Sequence, residues 1–386
     1  MVGAATACAL AEAGAEVEVL EAAAVGGGTS AATFAVDVSR VKTPRALFDL
    51  SVASASEHGA LERALPGVVW RHRAASLEWA HVDGDHSRIR ERVRRLQAWA
   101  FPAEWISPER ARALEPALEL PGEAKEIALY RDGAWYEARV LARALLERAC
   151  ARGARVYEDD RVTATTTSGG RIVEVRTAAG RRIDADVIVD CAGPHAAKVA
   201  ALAGATLPLR RLLGLVVTTS PAPTRLRTIL AAADLNVRPE VGERVVLHSW
   251  RVDADLGGGP QWSRVATLAS RLLDRARALL PGLAGAHVES ARVGVRPVPP
   301  DGLPIVGFLP EVRNLYVVVA HSGVHLAPLL GRLAAEELRG RAPARLEPFR
   351  PARLLAAGDG VDVEDESVRT MLAQTSGASQ ERSRAG

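Results

Sequence analysis

The residues best placed for chemistry near the start of the sequence are Gly3 and Glu21. Gly3 opens an Ala/Leu-rich stretch, and Glu21 ends the short apolar run that follows it. In a Gly-x-Gly-x-x-Gly unit the third glycine lets a helix pack on a strand, and an acidic residue about 20 positions later hydrogen-bonds a ribose hydroxyl. Gly3 and Glu21 therefore predict the second half of a dinucleotide-binding βαβ unit.

The first half of that unit has no counterpart in the printed sequence. Only Met1 and Val2 precede Gly3, so the strand and the two glycines that form the pyrophosphate turn are missing. We therefore expect an N-terminally truncated unit, in which an internal methionine was taken as the start. An upstream reading frame without a β-strand and a Gly-x-Gly just before Met1 would contradict this hypothesis.

A loop of small and hydroxylated residues follows Glu21. It contains three consecutive glycines and then Thr29 and Ser30. Such a segment can approach a phosphate closely, because glycine has no side chain and a following helix start offers backbone N–H groups. A second candidate region lies far along the chain, where His321, Ser322 and Gly323 follow a buried apolar run and begin a helix. The positive end of that helix is predicted to point back over the sheet.

The rest of the sequence predicts the elements that position these residues. Apolar periodicity and flanking turn residues indicate helices and buried strands. The predicted helices are 43–65, 137–150, 265–280 and 321–338, and the predicted strands are 185–193, 213–219, 244–250 and 314–320.

We expect an α/β protein, α+β overall, with a Rossmann-like domain and a second, mixed-sheet domain. Each domain is assembled from separated segments. The Rossmann-like domain is predicted from residues 1–67, 136–206 and 291–350, the second domain from 68–135 and 207–290, and a disordered, polar, aromatic-free tail from 351–386.

Composition limits the classes of partner. The hydrophobic fraction is 48%, the charged fraction is 25% and the net charge is +3, with arginines mixed among acids, so no nucleic-acid partner is implied. No stretch approaches the roughly 18 apolar residues of a membrane span. Cys8, Cys150 and Cys191 are far apart and show no Cys-x-x-Cys spacing, so we expect a cytoplasmic protein without disulfides or a zinc site.

Together these segments resemble the FAD-dependent amine and amino-acid oxidoreductases, which include glycine oxidase, D-amino-acid oxidase and dehydrogenase, and sarcosine oxidase. The resemblance covers residues 1–345 and is most specific over residues 3–30 and 294–338. It implies noncovalent FAD, because no cysteine lies near the C-terminal motif. The cofactor-binding residues it implies are Gly3, Glu21, Ala22, Thr29, Ser30, Val162, Gly193, Ser322, Gly323, Val324, His325 and Leu326.

The resemblance also assigns a substrate-binding residue, Arg296, in the sequence Val-Arg-Pro. It matches the arginine that pairs with a substrate carboxylate over the flavin ring, and a planar guanidinium suits that role because it holds a carboxylate bidentately. Arg292 lies four residues earlier and shares a face with Arg296 on an extended segment, so the motif and not the geometry favours Arg296. His321 could contact the ring, but the sequence does not make it catalytic.

The resemblance implies hydride transfer from the α-carbon of a small amino acid or N-substituted glycine to flavin N5. The substrate amine would be deprotonated, so no protein base is required, and electrons would pass to oxygen or a quinone-type acceptor. One alternative is a 2-hydroxy-acid dehydrogenase, with His248 or His321 as the base for the hydroxyl proton. Another is a flavin-free remnant with a binding or structural role, because the phosphate turn is missing.

Overall fold

The computed structural model describes residues 1–80, 83–232, 234–257, 261–356, 363, 365–366, 368–369 and 371–373. The described strands are β1 (Glu18–Leu20), β2 (Arg71–Arg73), β3 (Ser76–Trp79), β4 (Ala103–Ile106), β5 (Ile127–Tyr130), β6 (Ala134–Tyr136), β7 (Arg155–Tyr157), β8 (Val162–Ser168), β9 (Arg171–Thr177), β10 (Arg182–Ile183), β11 (Ile188–Asp190), β12 (Arg210–Thr219), β13 (Ile229–Ala232), β14 (Leu235–Glu240), β15 (Arg244–His248), β16 (Val288–Val298), β17 (Ile305–Phe308) and β18 (Leu315–Val319). The described α-helices are α1 (Val2–Glu12), α2 (Arg45–Ala64), α3 (Asp83–Ala98), α4 (Pro108–Leu114), α5 (Ala138–Cys150), α6 (Ala196–Leu202), α7 (Trp250–Ala254), α8 (Trp262–Leu279), α9 (Gly323–Leu338) and α10 (Ala352–Ala356).

An eight-stranded mixed sheet forms the larger layer, in the order β16-β12-β15-β14-β13-β3-β5-β4. Successive side chains of a strand point to opposite faces, so each face collects alternate residues. On one face apolar side chains such as Leu77, Val237 and Leu247 join a core with α8, whose Leu268 and Leu272 are buried. The opposite face carries polar side chains, and this polar face borders the cleft described below.

The second layer contains parallel strands covered by helices. β1 pairs in parallel with β7, β11 pairs in parallel with β18, and β17 continues the latter group in the antiparallel direction. Helix α1 packs against α5 and α9. Together with the mixed sheet, this arrangement confirms the predicted α/β fold with a Rossmann-like domain and a second, mixed-sheet domain.

The two parallel groups leave a gap between them. In the described part of the chain β1 and β11 each hydrogen-bond to a neighbour on one side only. Strands of parallel sheets are normally buried on both faces. All three residues of β1 and the first two residues of β11, however, are only half-buried. Both strands line the cleft.

Two sequence predictions differ from the structure. The large sheet extends through Val298, so the predicted boundary at residue 291 cuts β16. The described part of the 351–386 tail is packed and not disordered. Val368 and Met371 are buried against Val298, and the Asp365 carboxylate lies 2.7 Å from Lys42. The polar composition of the tail led to the prediction of disorder. Val368 and Met371 are three residues apart, however, and residues at this spacing lie on one face of a helix. No described helix is both long and apolar enough to span a membrane.

Candidate functional site

A cleft with a volume of about 1590 Å³ lies between the parallel strands and the polar face of the large sheet. Its lining includes the start of α1, the ends of β1 and β11 and the start of α9 on one side. Residues of β12 to β16 and β3 line the other side. Drug-sized ligands usually occupy about 300–1,000 Å³, so this cleft is large enough for a dinucleotide together with a small molecule.

The first turn of α1 and the end of β1 form one end of the cleft. A β-carbon on Gly3 would lie 3.2 Å from the β-carbon of Cys191, so glycine allows the close packing that the fingerprint predicted. Glu21 and Ala22 follow β1 and line the cleft. One carboxylate oxygen of Glu21 accepts a hydrogen bond from the backbone N–H of Ala23 at 3.1 Å, which fixes the side chain at this end.

The Thr29–Ser30 loop is fastened to the large sheet. The Thr29 hydroxyl donates to the carbonyl of Val295 at 2.7 Å, and the Ser30 hydroxyl lies 3.4 Å from the amino group of Met1. The backbones approach closely here, since a β-carbon on Gly294 would lie 2.7 Å from the Ala32 carbonyl oxygen. The loop that sequence reasoning assigned to a phosphate therefore connects α1 directly to the strand of Arg296.

Val162 and Gly193 also line the cleft, as the sequence predicted. Val162 is the first residue of β8. Gly193 follows β11 with a φ of +57°, a left-handed conformation that glycine adopts without the strain other residues incur. Both positions are therefore available to a ligand, Val162 at the far side of the parallel strands and Gly193 at the turn.

Asp190, the last residue of β11, was not predicted and carries an unusual carboxyl group. It is 3% exposed and lines the cleft. One carboxylate oxygen accepts from the Ala192 N–H at 2.9 Å, and the other has no hydrogen-bond partner. Burial raises the pKa of Asp190 to about 7. A buried unpaired oxygen facing a cleft marks a place where a ligand hydroxyl or N–H can be satisfied.

This carboxyl group makes stability depend on pH. Because the pKa is higher in the folded state, the native protein binds the proton more tightly and the free energy of unfolding falls as pH rises from about 4 to about 7. We expect Asp190→Asn to remove this slope and to be more stable than wild type above pH 7, on the order of 2 kcal/mol. Urea unfolding across pH 4–8 measures this. The exposed Asp186→Asn serves as the control, and an unchanged slope in Asp190→Asn would contradict the assignment.

The start of α9 forms the other helix end in the cleft. Ser322 has a left-handed φ of +66° and its side chain makes no capping hydrogen bond. Gly323 and Val324 line the cleft beside the first-turn N–H groups of α9. Such uncapped donors at a helix N-terminus favour a negatively charged or electron-rich group.

Leu326 is a correction. Its side chain is fully buried in the core with Leu329 and Leu333, it does not line the cleft, and its N–H donates to the Ser322 carbonyl. Helical periodicity explains the error, because a residue three positions after Gly323 turns away from the helix end. Leu326 therefore has neither a side chain nor a free donor to offer a cofactor.

The imidazole of His325 is held in a buried hydrogen-bond network. Its Nε2 lies 2.8 Å from the Ser51 hydroxyl, and its Nδ1 lies 3.3 Å from the Tyr136 hydroxyl. His58 Nε2 donates to the His325 carbonyl at 3.1 Å. Burial, despite the nearby Asp37 carboxylate, lowers the pKa of His325. The ring therefore fixes α9 against α2, and a ligand in the cleft meets mainly the backbone at this position.

Arg296 lies on the polar face of the large sheet and lines the cleft. Its Nη2 is 2.7 Å from the Asp253 carboxylate, and its Nη1 donates to the Leu213 carbonyl at 2.7 Å. The guanidinium carbon lies 4.7 Å from the ring centre of Trp250. Arg296 thus stands fixed between a carboxylate, a carbonyl and an aromatic ring. A guanidinium has five N–H donors, so these hydrogen bonds leave others for a ligand.

Asp253 is the buried partner that orients Arg296. Its side chain is 1% exposed, it accepts from the Leu215 N–H at 2.7 Å, and His248 Nε2 lies 3.0 Å from it. Burial opposes ionisation, but Arg296 and His248 outweigh it and hold the pKa of Asp253 below its usual value. Sequence reasoning missed Asp253. The polar pair Ser249 and Asp253 at a helix start was the only available signal.

Gly214 makes room for the Arg296 side chain. A β-carbon at Gly214 would lie 1.9 Å from Nη2 of Arg296. Gly214 sits on β12 opposite Gly294 of β16. The competing Arg292 shares the polar face with Arg296, but it is exposed and does not line the cleft, so only Arg296 is available to a ligand there.

His321 lies between α9 and the polar face. Burial, together with the positive charges of Lys42 and Arg296, lowers the pKa of His321 well below its usual value. The ring is therefore neutral at physiological pH and a weak base. His321 lines the cleft and can hydrogen-bond a ligand without adding charge.

The donor set fits FAD. An uncapped helix start at α1, a carboxylate at Glu21 and a glycine-rich loop suit an adenosine diphosphate, and the uncapped start of α9 suits the electron-rich edge of a flavin. The unpaired Asp190 oxygen also faces the cleft and can accept from a hydroxyl group of the cofactor. The cleft therefore holds groups that suit each of these parts of the cofactor.

Comparison with known proteins agrees with this geometry. The profile of the family described as "DAO: FAD dependent oxidoreductase" matches residues 1–337. Glycine oxidase of Geobacillus kaustophilus is 30% identical over 258 residues, which cover 65% of this chain and 66% of that protein, just under two thirds of its length. Subunit HcnC of the hydrogen cyanide synthase of Pseudomonas aeruginosa is 26% identical over 335 residues, covering 83% of this chain and 78% of the subunit.

A solved structure is also similar. The crystal structure of glycine oxidase from Geobacillus kaustophilus superposes with a TM-score of 0.81 and 25% sequence identity. The superposition covers 91% of this chain and 96% of that structure. The similarity therefore extends over both domains.

Proposed function

Since this chain belongs to the DAO family of FAD-dependent oxidoreductases, we propose that it oxidises the CH–NH bond of a small amino acid or N-substituted glycine. A glycine or sarcosine-like compound or a D-amino acid would be the substrate. Oxidation of this bond would pass a hydride from the α-carbon to the flavin, and water would hydrolyse the imine product to an oxo acid and an amine or ammonia. The observation that supports this substrate class best is the fixed guanidinium of Arg296, which shares the cleft with the start of α9.

The residues of this chain position the substrate. FAD, bound noncovalently along the cleft, supplies the two-electron acceptor. The remaining donors of Arg296 hold the substrate carboxylate, and Asp253 and Gly214 keep that guanidinium in one orientation. Fixing the carboxylate orients the α-carbon, which lowers the entropic part of the barrier. A neutral His321 can hydrogen-bond the substrate without adding charge to the cleft.

The test is anaerobic bleaching of the flavin. The purified protein is mixed without oxygen with glycine, sarcosine, D-alanine and L-lactate, and the absorbance of oxidised flavin is followed. We expect the amino compounds to bleach the flavin and L-lactate to leave it unchanged. Admitting oxygen or adding a quinone then identifies the acceptor by which of them restores the colour. A yellow protein that none of the amino compounds bleaches would overturn the proposal.

One observation favours a second candidate function, a 2-hydroxy-acid dehydrogenase. His248 Nε2 lies 3.0 Å from the Asp253 carboxylate, an arrangement in which a carboxylate can orient a general base. In that case L-lactate would bleach the flavin. The rate of bleaching would depend on pH in the wild type, and His248→Ala would be slower and would lose that pH dependence. A colourless folded protein would instead favour the flavin-free remnant.

We also propose that an additional β-strand pairs between β1 and β11, supplied by residues that precede Met1. The unpaired edges of these strands, their half-buried residues and the cleft between them support this proposal. A strand here would bring a glycine turn to the start of α1, where a pyrophosphate is expected. The upstream reading frame tests it. A version extended by that frame should bind FAD more tightly than the printed chain, and equal affinity would contradict the extension.

A further inference from the structure

The polar face of the large sheet continues well beyond Arg296. Residues that pair directly across neighbouring strands share a face. One row of side chains therefore crosses the polar face from β12 to β3. It follows the pairs Val216↔His248, Asn236↔His248, Ala231↔Asn236 and Ala231↔Glu78. Every member of this row lines the cleft. Arg296 reaches the His248 end of the row, because its Nη2 lies 3.0 Å from His248 Nε2.

A second arginine, Arg40, lines the cleft at the Glu78 end of the row. Arg40 is the middle residue of the 3₁₀ turn Ser39–Val41 and is only 9% exposed. The guanidinium carbon lies 5.4 Å from the ring centre of Tyr130. This stacking fixes the plane of the guanidinium, as packing against aromatic rings does for arginine.

Arg40 lacks the carboxylate that a buried arginine normally has. Its Nη1 makes a weak contact of 3.4 Å to the Asp37 carbonyl, and its Nε has no hydrogen-bond partner. Among the described residues no carboxylate lies within ion-pair distance of it. A buried charge without a partner costs several kcal/mol, so such a group is a strong indication of a missing counter-ion.

The neighbouring carboxylates are already committed. Glu78 binds Arg92 and accepts from the Tyr130 hydroxyl at 2.8 Å, and Glu366 binds both Arg92 and Arg95. Burial opposes ionisation of Glu78, but Arg92 and Arg40 outweigh it and lower its pKa to about 2. Both acids therefore have ion-pair partners other than Arg40.

The two ends of the row are well separated. The backbones of His248 and Glu78 are three strand spacings apart, about 14 Å at about 4.8 Å per spacing. A ligand that meets Arg296 at one end and Arg40 at the other therefore carries its two anionic groups at opposite ends of the molecule. Asn236 lies between the two ends and offers an uncharged amide to the middle of such a molecule.

We propose that Arg40 is a second anion-binding residue, and that the preferred substrate is an amine-bearing dicarboxylate. Its α-carboxylate binds Arg296 and its distal carboxylate binds Arg40. This inference rests on the proposed amine oxidation and narrows its substrate class.

Isothermal titration calorimetry with two unreactive acids tests the proposal in the full chain. Glutarate carries a carboxylate at both ends, and pentanoate has the same number of carbons with a methyl group in place of one carboxylate. We expect wild type to bind glutarate at least about tenfold more tightly than pentanoate, because hydrogen bonds to charged groups carry that much affinity. In Arg40→Gln the preference is expected to disappear, and Arg40→Lys should restore part of it.

Arg292→Gln is the matched control, because Arg292 is an exposed arginine outside the cleft and its loss should keep the preference. Circular dichroism of each variant verifies folding. Equal binding of the two acids by wild type, or an unchanged preference in Arg40→Gln, overturns the role of Arg40. If either of these results is obtained while glycine or sarcosine still bleaches the flavin, the proposed amine oxidation remains supported and only the role of Arg40 is overturned. Absence of binding by either acid together with absence of bleaching would overturn both proposals.

Discussion

Replacing Arg296 by alanine is expected to raise KM for carboxylate-bearing amines by about 100-fold. A hydrogen bond to a charged group contributes about 1.5–3 kcal/mol, and the proposed carboxylate contact uses more than one donor. The variant also leaves the Asp253 carboxylate, 1% exposed, without its arginine partner, so thermal stability should fall as well. Steady-state kinetics at a temperature where circular dichroism shows a folded protein measures the effect.

Gly214→Ala tests whether the position of the Arg296 guanidinium matters, because this variant keeps the guanidinium but displaces it. The new β-carbon would overlap Nη2 of Arg296 at 1.9 Å, and the flexible arginine would move while the chain keeps its charge. A rise in KM in both variants supports a positioned Arg296. Arg292→Ala, on the same strand but outside the cleft, should keep the wild-type KM. An unchanged KM in Arg296→Ala would remove the residue from the substrate site.

Gly331→Ala is expected to destabilise the fold by about 3 kcal/mol. Gly331 lies inside α9, where alanine would normally gain about 1 kcal/mol of helix propensity. Its β-carbon, however, would lie 2.6 Å from the Ala5 carbonyl carbon and 2.8 Å from the Ala5 oxygen of α1. Backbone cannot move aside as a side chain can, so the crossing of α1 and α9 must open. Urea unfolding monitored by circular dichroism measures the change.

For a second helical glycine we expect a change in stability of the opposite sign. Gly59 lies inside α2, and a β-carbon there would meet only the end of the Arg71 side chain at 3.5 Å, an ordinary contact. Gly59→Ala should therefore stabilise the protein by up to about 1 kcal/mol. If both glycine variants shifted stability in the same direction, the close crossing of α1 and α9 would not be the cause. Because α1 and α9 present their N-termini to the cleft, Gly331→Ala should also weaken FAD binding.

The sequence predicted local elements well where periodicity was strong. The helix predicted over residues 43–65 is Arg45–Ala64, and the helix predicted over 265–280 is Trp262–Leu279. Gly3 and Gly193, which the sequence predicted to bind the cofactor, line the cleft, and their close packing and left-handed φ favour glycine at these positions. The tail was predicted poorly, since its burial depends on partners such as Lys42 that are more than 300 positions away.

By itself the sequence determined the fold class and the cofactor family, and it predicted Arg296 as a substrate-binding residue. These depend on residue types at short spacing, which local sterics and hydrogen bonding enforce. Only the tertiary structure decided that Asp253 and Gly214 orient Arg296 and that Leu326 faces the core. It alone placed the unpaired Arg40 at the far end of the same polar row. Those relations arise when β16, β12 and β15 pair across long stretches of chain, and strand pairing sets contacts that no local spacing encodes.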